Sequence, residues 1–254
     1  MAKVFEVDTG GTLPTSLISY WRLEDVEDFF GANTLTNNNT ITFVAGKVVS
    51  GPAANAADTG DSNGSKYLSV ASDLGITGGT VSFSCWIRAR TTGAPAGGFN
   101  AHFISLEDSG NHVQYGAFIN NTAGTYVFRT YRSRGGVGST AISSGSISLD
   151  TWYYITFTYD SSDGGLIFYL NGSSVATGTD TGNGTAGAAD HFNIFAQQNG
   201  APFFSGLCDE FGIWSKELTT TEITDLYNGA SGQTMIEQTT VAANAAHLNM
   251  LKVG

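Results

Sequence analysis

The sequence predicts an all-β protein: a two-sheet antiparallel jelly-roll sandwich, with one short helix near the C-terminal end of the domain. Three observations predict it. Eight segments rich in β-branched and aromatic residues are separated by clusters of Gly, Asn, Asp and Ser. Charged residues are only 13% of the chain and glycine supplies 33 of its 254 residues, a composition that suits strands and turns and disfavours long surface helices. Only one internal stretch carries both a helix start and a helix stop.

The strand segments are 81–89, 102–107, 113–120, 125–132, 151–159, 165–170, 191–197 and 207–214. Between 165–170 and the following "SSVATG" stands Asn171-Gly172. This is a strong hairpin signal, because a type I′ turn needs two residues that tolerate positive φ. The helix is predicted just after the last strand. Thr219 and Glu222 have capping-box spacing, Ile223, Leu226 and Tyr227 share a face, and Gly229 ends it. Strands this numerous favour a jelly roll over an immunoglobulin fold.

A chain of this length fits one large all-β unit. The expected division is an N-terminal arm (1–17), the sandwich (18–232) and a C-terminal tail (233–254). The composition of the tail leaves a helix, an extended arm and a partner-dependent segment all open. The net charge of −11 repels nucleic acid. No run approaches the ~18 apolar residues of a membrane span, and the N-terminus lacks the apolar core of a signal peptide. Cys85 and Cys208 read as buried small hydrophobes, and as a disulfide only where their strands are close neighbours.

Several stretches resemble the laminin-G-like, concanavalin A-like lectin/glucanase family. "LISYWRLED" is similar to its opening strand, and "VAGKVVSGPAA" with "KYLSVASD" to its early hairpin region. "GTVSFSCWIRAR" resembles its first long core strand, and "LDTWYYITFTYDSSDGGLIFYLNGSSVATG" its central hairpin. "FSGLCDEFGIWSKELTTTEITDLYNG" resembles its closing strand and helix, with Cys208 where Ile is usual. The five occur in the family's order over roughly residues 18–232. The resemblance implies two curved sheets, with Asp209 and Glu210 closing the fold beside the opening strand. It also implies a structural calcium at Asp209, with Glu24 or Asp25 as partner ligand.

Glycoside hydrolysis needs a pair of carboxyls across one bond, ~5 Å apart in a retaining enzyme. The laminarinase branch of the family carries Glu-x-Asp-x-x-Glu on one strand, and this chain has no such spacing. Adjacent strand residues point to opposite faces, so Asp209 and Glu210 do not act together unless a bulge intervenes. "DTGDSNG" (58–64) is an oxygen-rich loop without EF-hand spacing. His102, His112, His191 and His247 are scattered without the spacing of zinc ligands.

Five of the six arginines fall between 88 and 134 in an otherwise acidic chain, interleaved with Tyr115, Tyr126 and Tyr131. Planar guanidinium forks beside flat phenol rings suit neutral or acidic sugars. The competing reading pairs these arginines with acids at the sheet edges. Tyr115, Arg129 and Tyr131 are the expected carbohydrate-binding residues. Trp21, Trp86, Trp152 and Trp214 are expected in the core.

The expected function is therefore non-catalytic surface recognition. The expected ligand is a glycan or cell-surface polysaccharide. The expected setting is extracellular or on a virion surface, as a phage capsid decoration or appendage, with virion proteins or further copies of the chain as partners. A purely structural assembly protein without glycan affinity competes with this reading, and a laminarinase-type hydrolase stands behind both.

Overall fold

The computed structural model describes residues 5–6, 16–48, 54–60, 65–76, 79–91, 100–108, 110, 112–134, 137–180, 189–197 and 203–237. In chain order the strands are β1 (Phe5–Glu6), β2 (Leu17–Trp21), β3 (Thr36–Asn38), β4 (Thr42–Ala45), β5 (Asn55–Asp58) and β6 (Tyr67–Val70). Then come β7 (Val81–Ala89), β8 (Asn100–Asp108), β9 (Val113–Thr122), β10 (Thr125–Arg134), β11 (Val137–Ile147) and β12 (Trp152–Tyr159). The last are β13 (Gly165–Leu170), β14 (Ser173–Thr179), β15 (Ala189–Ile194), β16 (Gly206–Trp214) and β17 (Ile236–Glu237), with α1 (Thr220–Tyr227) between the final two.

Two antiparallel sheets form the sandwich. One has seven strands in the order β11-β10-β9-β8-β15-β6-β3. The other has eight: β14-β13-β12-β7-β16-β5-β4, with β2 also paired to β16. The alternation of strand side chains explains the layers. In β10, Phe128 and Thr130 are buried between the sheets, while Arg129 and Tyr131 fall on the opposite face. The inter-sheet core includes Trp21, Phe83, Phe103, Tyr115, Phe157, Phe192 and Phe211. Trp21 stacks on Phe192 with ring centroids 5.4 Å apart.

A second cluster covers the outer face of the eight-stranded sheet. Leu218, Ile223 and Leu226 from the α1 region pack against Tyr20, Trp86, Tyr154, Tyr169 and Trp214. Both halves of the predicted capping box are present: Thr219 accepts from the Glu222 amide, and Glu222 accepts from the Thr219 amide at 2.9 Å. Asn228, at φ 46°, closes the helix one residue before the glycine expected to do so. Asn171 (φ 52°) and Gly172 (φ 78°) make the predicted left-handed turn between β13 and β14. Trp21, Trp86 and Trp214 are buried as expected, and Trp152 is half-buried.

The structure departs from expectation in three places. β11 was not foreseen, because its Ser- and Gly-rich sequence reads as loop; it is an edge strand that needs only one partner, β10. Packing also continues past residue 232. Met235 is buried, its amide donates to the Tyr20 hydroxyl at 3.0 Å, and its carbonyl accepts from Arg22 at 2.6 Å. Beyond it β17 pairs with β1, so parts of the expected arm and tail meet each other. His247 and positions 61–64 of the oxygen-rich loop lie outside the described residues.

Candidate functional site

The closing strand holds the adjacent acids at a change of partner. The first half of β16 pairs with β5, through Leu207–Asp58 and Cys208–Ala57. The second half pairs with β2, from Phe211–Trp21 onward. On the other side of β16, the register with β7 slips between Asp209 and Gly212, a one-residue bulge. Glu210 sits in that bulge at φ 53°. A bulge therefore does intervene, yet it leaves both acids enclosed, with Asp209 fully buried and Glu210 6% exposed.

The two side chains tie down different segments. Asp209 Oδ2 accepts from the amides of Lys47 at 2.7 Å and Val48 at 3.0 Å, in the segment after β4. Glu210 hydrogen-bonds Thr234, whose hydroxyl is 3.3 Å from that of Tyr20. Burial raises the Asp209 carboxyl to about 7 and the Glu210 carboxyl to about 8. Each acid thus ties a separate segment of the chain to the closing strand.

The outer face of the seven-stranded sheet is different. Arg129 of β10 lies opposite Phe118 of β9, which lies opposite His102 of β8. One row along, Tyr131 lies opposite Gly116, and a Cβ on Gly116 would come within 2.7 Å of the Tyr131 ring. The glycine thus lets the tyrosine ring lie close against the neighbouring strand. Tyr131 meets Phe118 edge-on at 5.5 Å, and its hydroxyl is 3.1 Å from His102 Nε2. Burial lowers His102 to about 4, so its imidazole is neutral at ordinary pH. Burial, reinforced by Glu107, raises the Tyr131 hydroxyl.

Arg129 and Tyr131 are half-buried. Arg129 Nε and His102 Nδ1 are buried without a hydrogen-bond partner. In the next row Asn120 donates to Asn100 at 2.7 Å and accepts from the Thr122 hydroxyl at 2.8 Å. This face combines a flat ring, a guanidinium and amide side chains in neighbouring rows.

Residues 61–224 match a family model described as the concanavalin A-like lectin/glucanases superfamily. The chain belongs to this superfamily. No curated protein matches it in sequence. Among solved structures it is similar to domain 4 of AbnA, a GH43 extracellular arabinanase from Geobacillus stearothermophilus, in complex with arabinotriose. That likeness has 19% identity and a TM-score of 0.58, over 83% of this chain and 97% of that one. It is also similar to the binding domain of botulinum neurotoxin DC in complex with SialylT, at 15% identity and a TM-score of 0.66, over 85% of this chain. The botulinum neurotoxin type G receptor binding domain gives 15% identity and a TM-score of 0.64, over 84% of this chain. The chain spans about half of each toxin binding domain, 52% and 51% respectively. At these identities the likenesses show the fold.

As a member of the concanavalin A-like superfamily, the chain places its expected site residues unevenly. Arg129 and Tyr131 share the outer face, but Tyr115 does not join them. It points between the sheets, fully buried, and its hydroxyl donates to the Gly79 carbonyl at 3.0 Å. Tyr115 is opposite Arg132, and both alternate onto the inner face. Burial raises its hydroxyl to about 12. Arg132 is itself 2% exposed, with its guanidinium 4.5 Å from the Tyr115 ring and 5.3 Å from the Tyr159 ring. Arg88 and Arg90 instead pair with Asp150 (3.8 Å) and Asp58 (2.7 Å), as the sheet-edge reading has it. His102 and Phe118 were not singled out as site residues; only the strand register brings them under Tyr131.

The donor set around Asp209 does not fit calcium. A hard cation takes six to eight oxygens, whereas two backbone N–H groups converge on Asp209 Oδ2. Glu24 Oε2 accepts from the Asn55 amide at 2.8 Å, and Asp25 Oδ1 from the Glu27 amide at 2.8 Å. Glu24, Asp25 and Glu27 line a recess of about 240 Å³ together with Arg22 and Phe29, and the Arg22 guanidinium offsets part of their charge. Among the described residues no group of three or more His, Cys, Asp or Glu side chains is placed to hold a metal ion.

Proposed function

We propose that this protein is a non-catalytic recognition domain that binds carbohydrate on the outer face of β8–β10. The observation that carries this reading is the Tyr131 ring laid against Gly116, with half-buried Arg129 beside it. A flat aromatic surface packs on the apolar face of a pyranose or furanose ring. A guanidinium fork bonds paired hydroxyls or a carboxylate. Two structural relatives, whose complexes hold arabinotriose and SialylT, support the ligand class. The expected setting is a surface that meets glycans, extracellular or on a virion, including a phage decoration or appendage.

The test is binding of the purified chain to a panel of neutral and acidic oligosaccharides, beside Arg129→Ala. Selective binding that falls at least about tenfold in the variant, equivalent to about 1.4 kcal/mol, supports the reading. No binding, or equal binding by both proteins, removes it.

A second reading, a structural assembly protein without glycan affinity, is favoured by one feature. β14 is an edge strand of the eight-stranded sheet; its sequence SSVATGT carries no charge or proline, and it is largely exposed. Such an edge is a template for strand addition. Light scattering during size exclusion separates the two readings: concentration-dependent oligomers lost in Val175→Lys favour assembly.

A further inference from the structure

The chain has only two cysteines, far apart in sequence, and the fold brings them together. Cys85 lies on β7 and Cys208 on β16, which pair antiparallel. Cys208 is opposite Ile87 and Asp209 opposite Trp86, which makes Cys85 the diagonal neighbour of Cys208. The bulge begins just after Asp209 and draws this stretch of the ladder out of regular spacing. Both side chains are fully buried in the same inter-sheet core, on adjacent strands, and both are free thiols in this structure. Two small apolar residues would serve packing alone, and neither would need to be cysteine.

We propose that Cys85 and Cys208 form a cross-strand disulfide site, closed when the chain folds in an oxidising medium and left as a thiol pair when it folds in a reducing one. The bond would staple the closing strand to the central strand of its sheet, beside the bulge. Oxidised glutathione serves as the oxidant. One cysteine thiolate attacks it, forming a mixed disulfide and releasing one glutathione thiolate. The second cysteine thiolate then attacks the protein sulfur, the Cys85–Cys208 bond forms, and a second glutathione leaves. The two protons lost by the cysteines end on the two glutathiones, which carry the two electrons.

Timing follows from burial. Cys208 is enclosed and its thiol is pushed up by burial and by the neighbouring Cys85, so little thiolate exists once the sandwich has closed. Exchange therefore belongs to folding, and the finished core protects either state.

The test uses the full chain, unfolded in urea with reductant and refolded with oxidised or with reduced glutathione. Thiols are counted after re-denaturation, and the intact mass is measured. Refolding in oxidised glutathione is expected to yield native circular dichroism, no free thiols and a mass lower by two hydrogens, with no bound glutathione. The disulfide form is expected to melt several degrees above the reduced form, since the cross-link closes a long loop. Native protein with both thiols free after oxidative refolding would overturn the proposal. So would a cross-linked product that melts below the reduced protein, because the native geometry would then not fit the bond.

Discussion

A hydrogen bond of 3.0 Å from the Val48 amide to Asp209 Oδ2 joins positions separated by 161 residues. The same oxygen takes the Lys47 amide at 2.7 Å. Together they anchor the segment after β4 where β16 changes partner from β5 to β2. Removing a buried acceptor strands two donors at once, at about 1–3 kcal/mol each. Asp209→Ala is therefore expected to lose about 2–5 kcal/mol in urea unfolding. Asp209→Asn keeps a carbonyl oxygen at the same place and is expected to lose far less.

The same enclosure makes stability depend on pH. Asp209 is raised to about 7 and Glu210 to about 8, with burial as the main cause in both. In an unfolded chain both carboxyls release their protons near pH ~4. Between that value and about 8 the native state holds protons that the unfolded state has lost, so stability falls as pH rises through this window. His102 acts oppositely. It is lowered to about 4, so the stability tied to its neutral form is full above the ordinary value of ~6.5 and is lost as pH falls towards 4. With two acids against one histidine, the melting temperature is expected to be higher near pH 6 than near pH 9. The double variant Asp209→Asn/Glu210→Gln is expected to flatten that slope; an unchanged slope would show that other groups set it.

The behaviour of these acids separates what local sequence encodes from what pairing decides. Thr219 with Glu222, and Asn171 with Gly172, are local signals whose partners lie within a few residues, and both are found where their spacing puts them. The inner or outer phase of β9 is not local. "VQYGAFIN" is buried almost throughout, so hydrophobicity cannot tell which alternate set faces the core. Tyr115 was consequently expected on the binding face, and the pairing with β10 turns it inward. The bulge at Glu210 is equally a product of the β16–β7 register. Arg132 is the hardest case, because a lone arginine reads as surface; its burial rests on two tyrosine rings from different strands.

Arg132 and Arg129 accordingly predict opposite phenotypes. Arg132 lies between Tyr115 and Tyr159 and donates to the carbonyls of Ser133 and Gln114. Arg132→Ala removes packing and charge together and is expected to cost about 2–4 kcal/mol. Arg132→Met, which fills much of the same volume, is expected to recover part of this. Arg129 is only half-buried, and Arg129→Ala is expected to stay within about 0.5 kcal/mol of the parent, while sugar binding falls. Urea melts and oligosaccharide titrations on the three variants check both halves.

Metal dependence is the remaining discriminating measurement. A resident ion that binds only the folded state adds RT ln(1 + [L]/Kd), about 2.7 kcal/mol at a hundredfold excess over Kd. For a domain of this size that is a shift of roughly 5–10 °C in melting temperature. The carboxylates expected to hold calcium are engaged otherwise: Asp209 by two amides, Glu24 by Asn55 and Asp25 by Glu27. Those bonds take one oxygen of each carboxylate and leave Asp209 Oδ1 unpaired, but a cation there would still need oxygens that the described residues do not bring together. The melting temperature is therefore expected to be the same in excess calcium and in excess chelator. A chelator-induced drop of several degrees, abolished in Asp209→Asn, would mean that the loop of residues 46–48 moves aside to admit an ion.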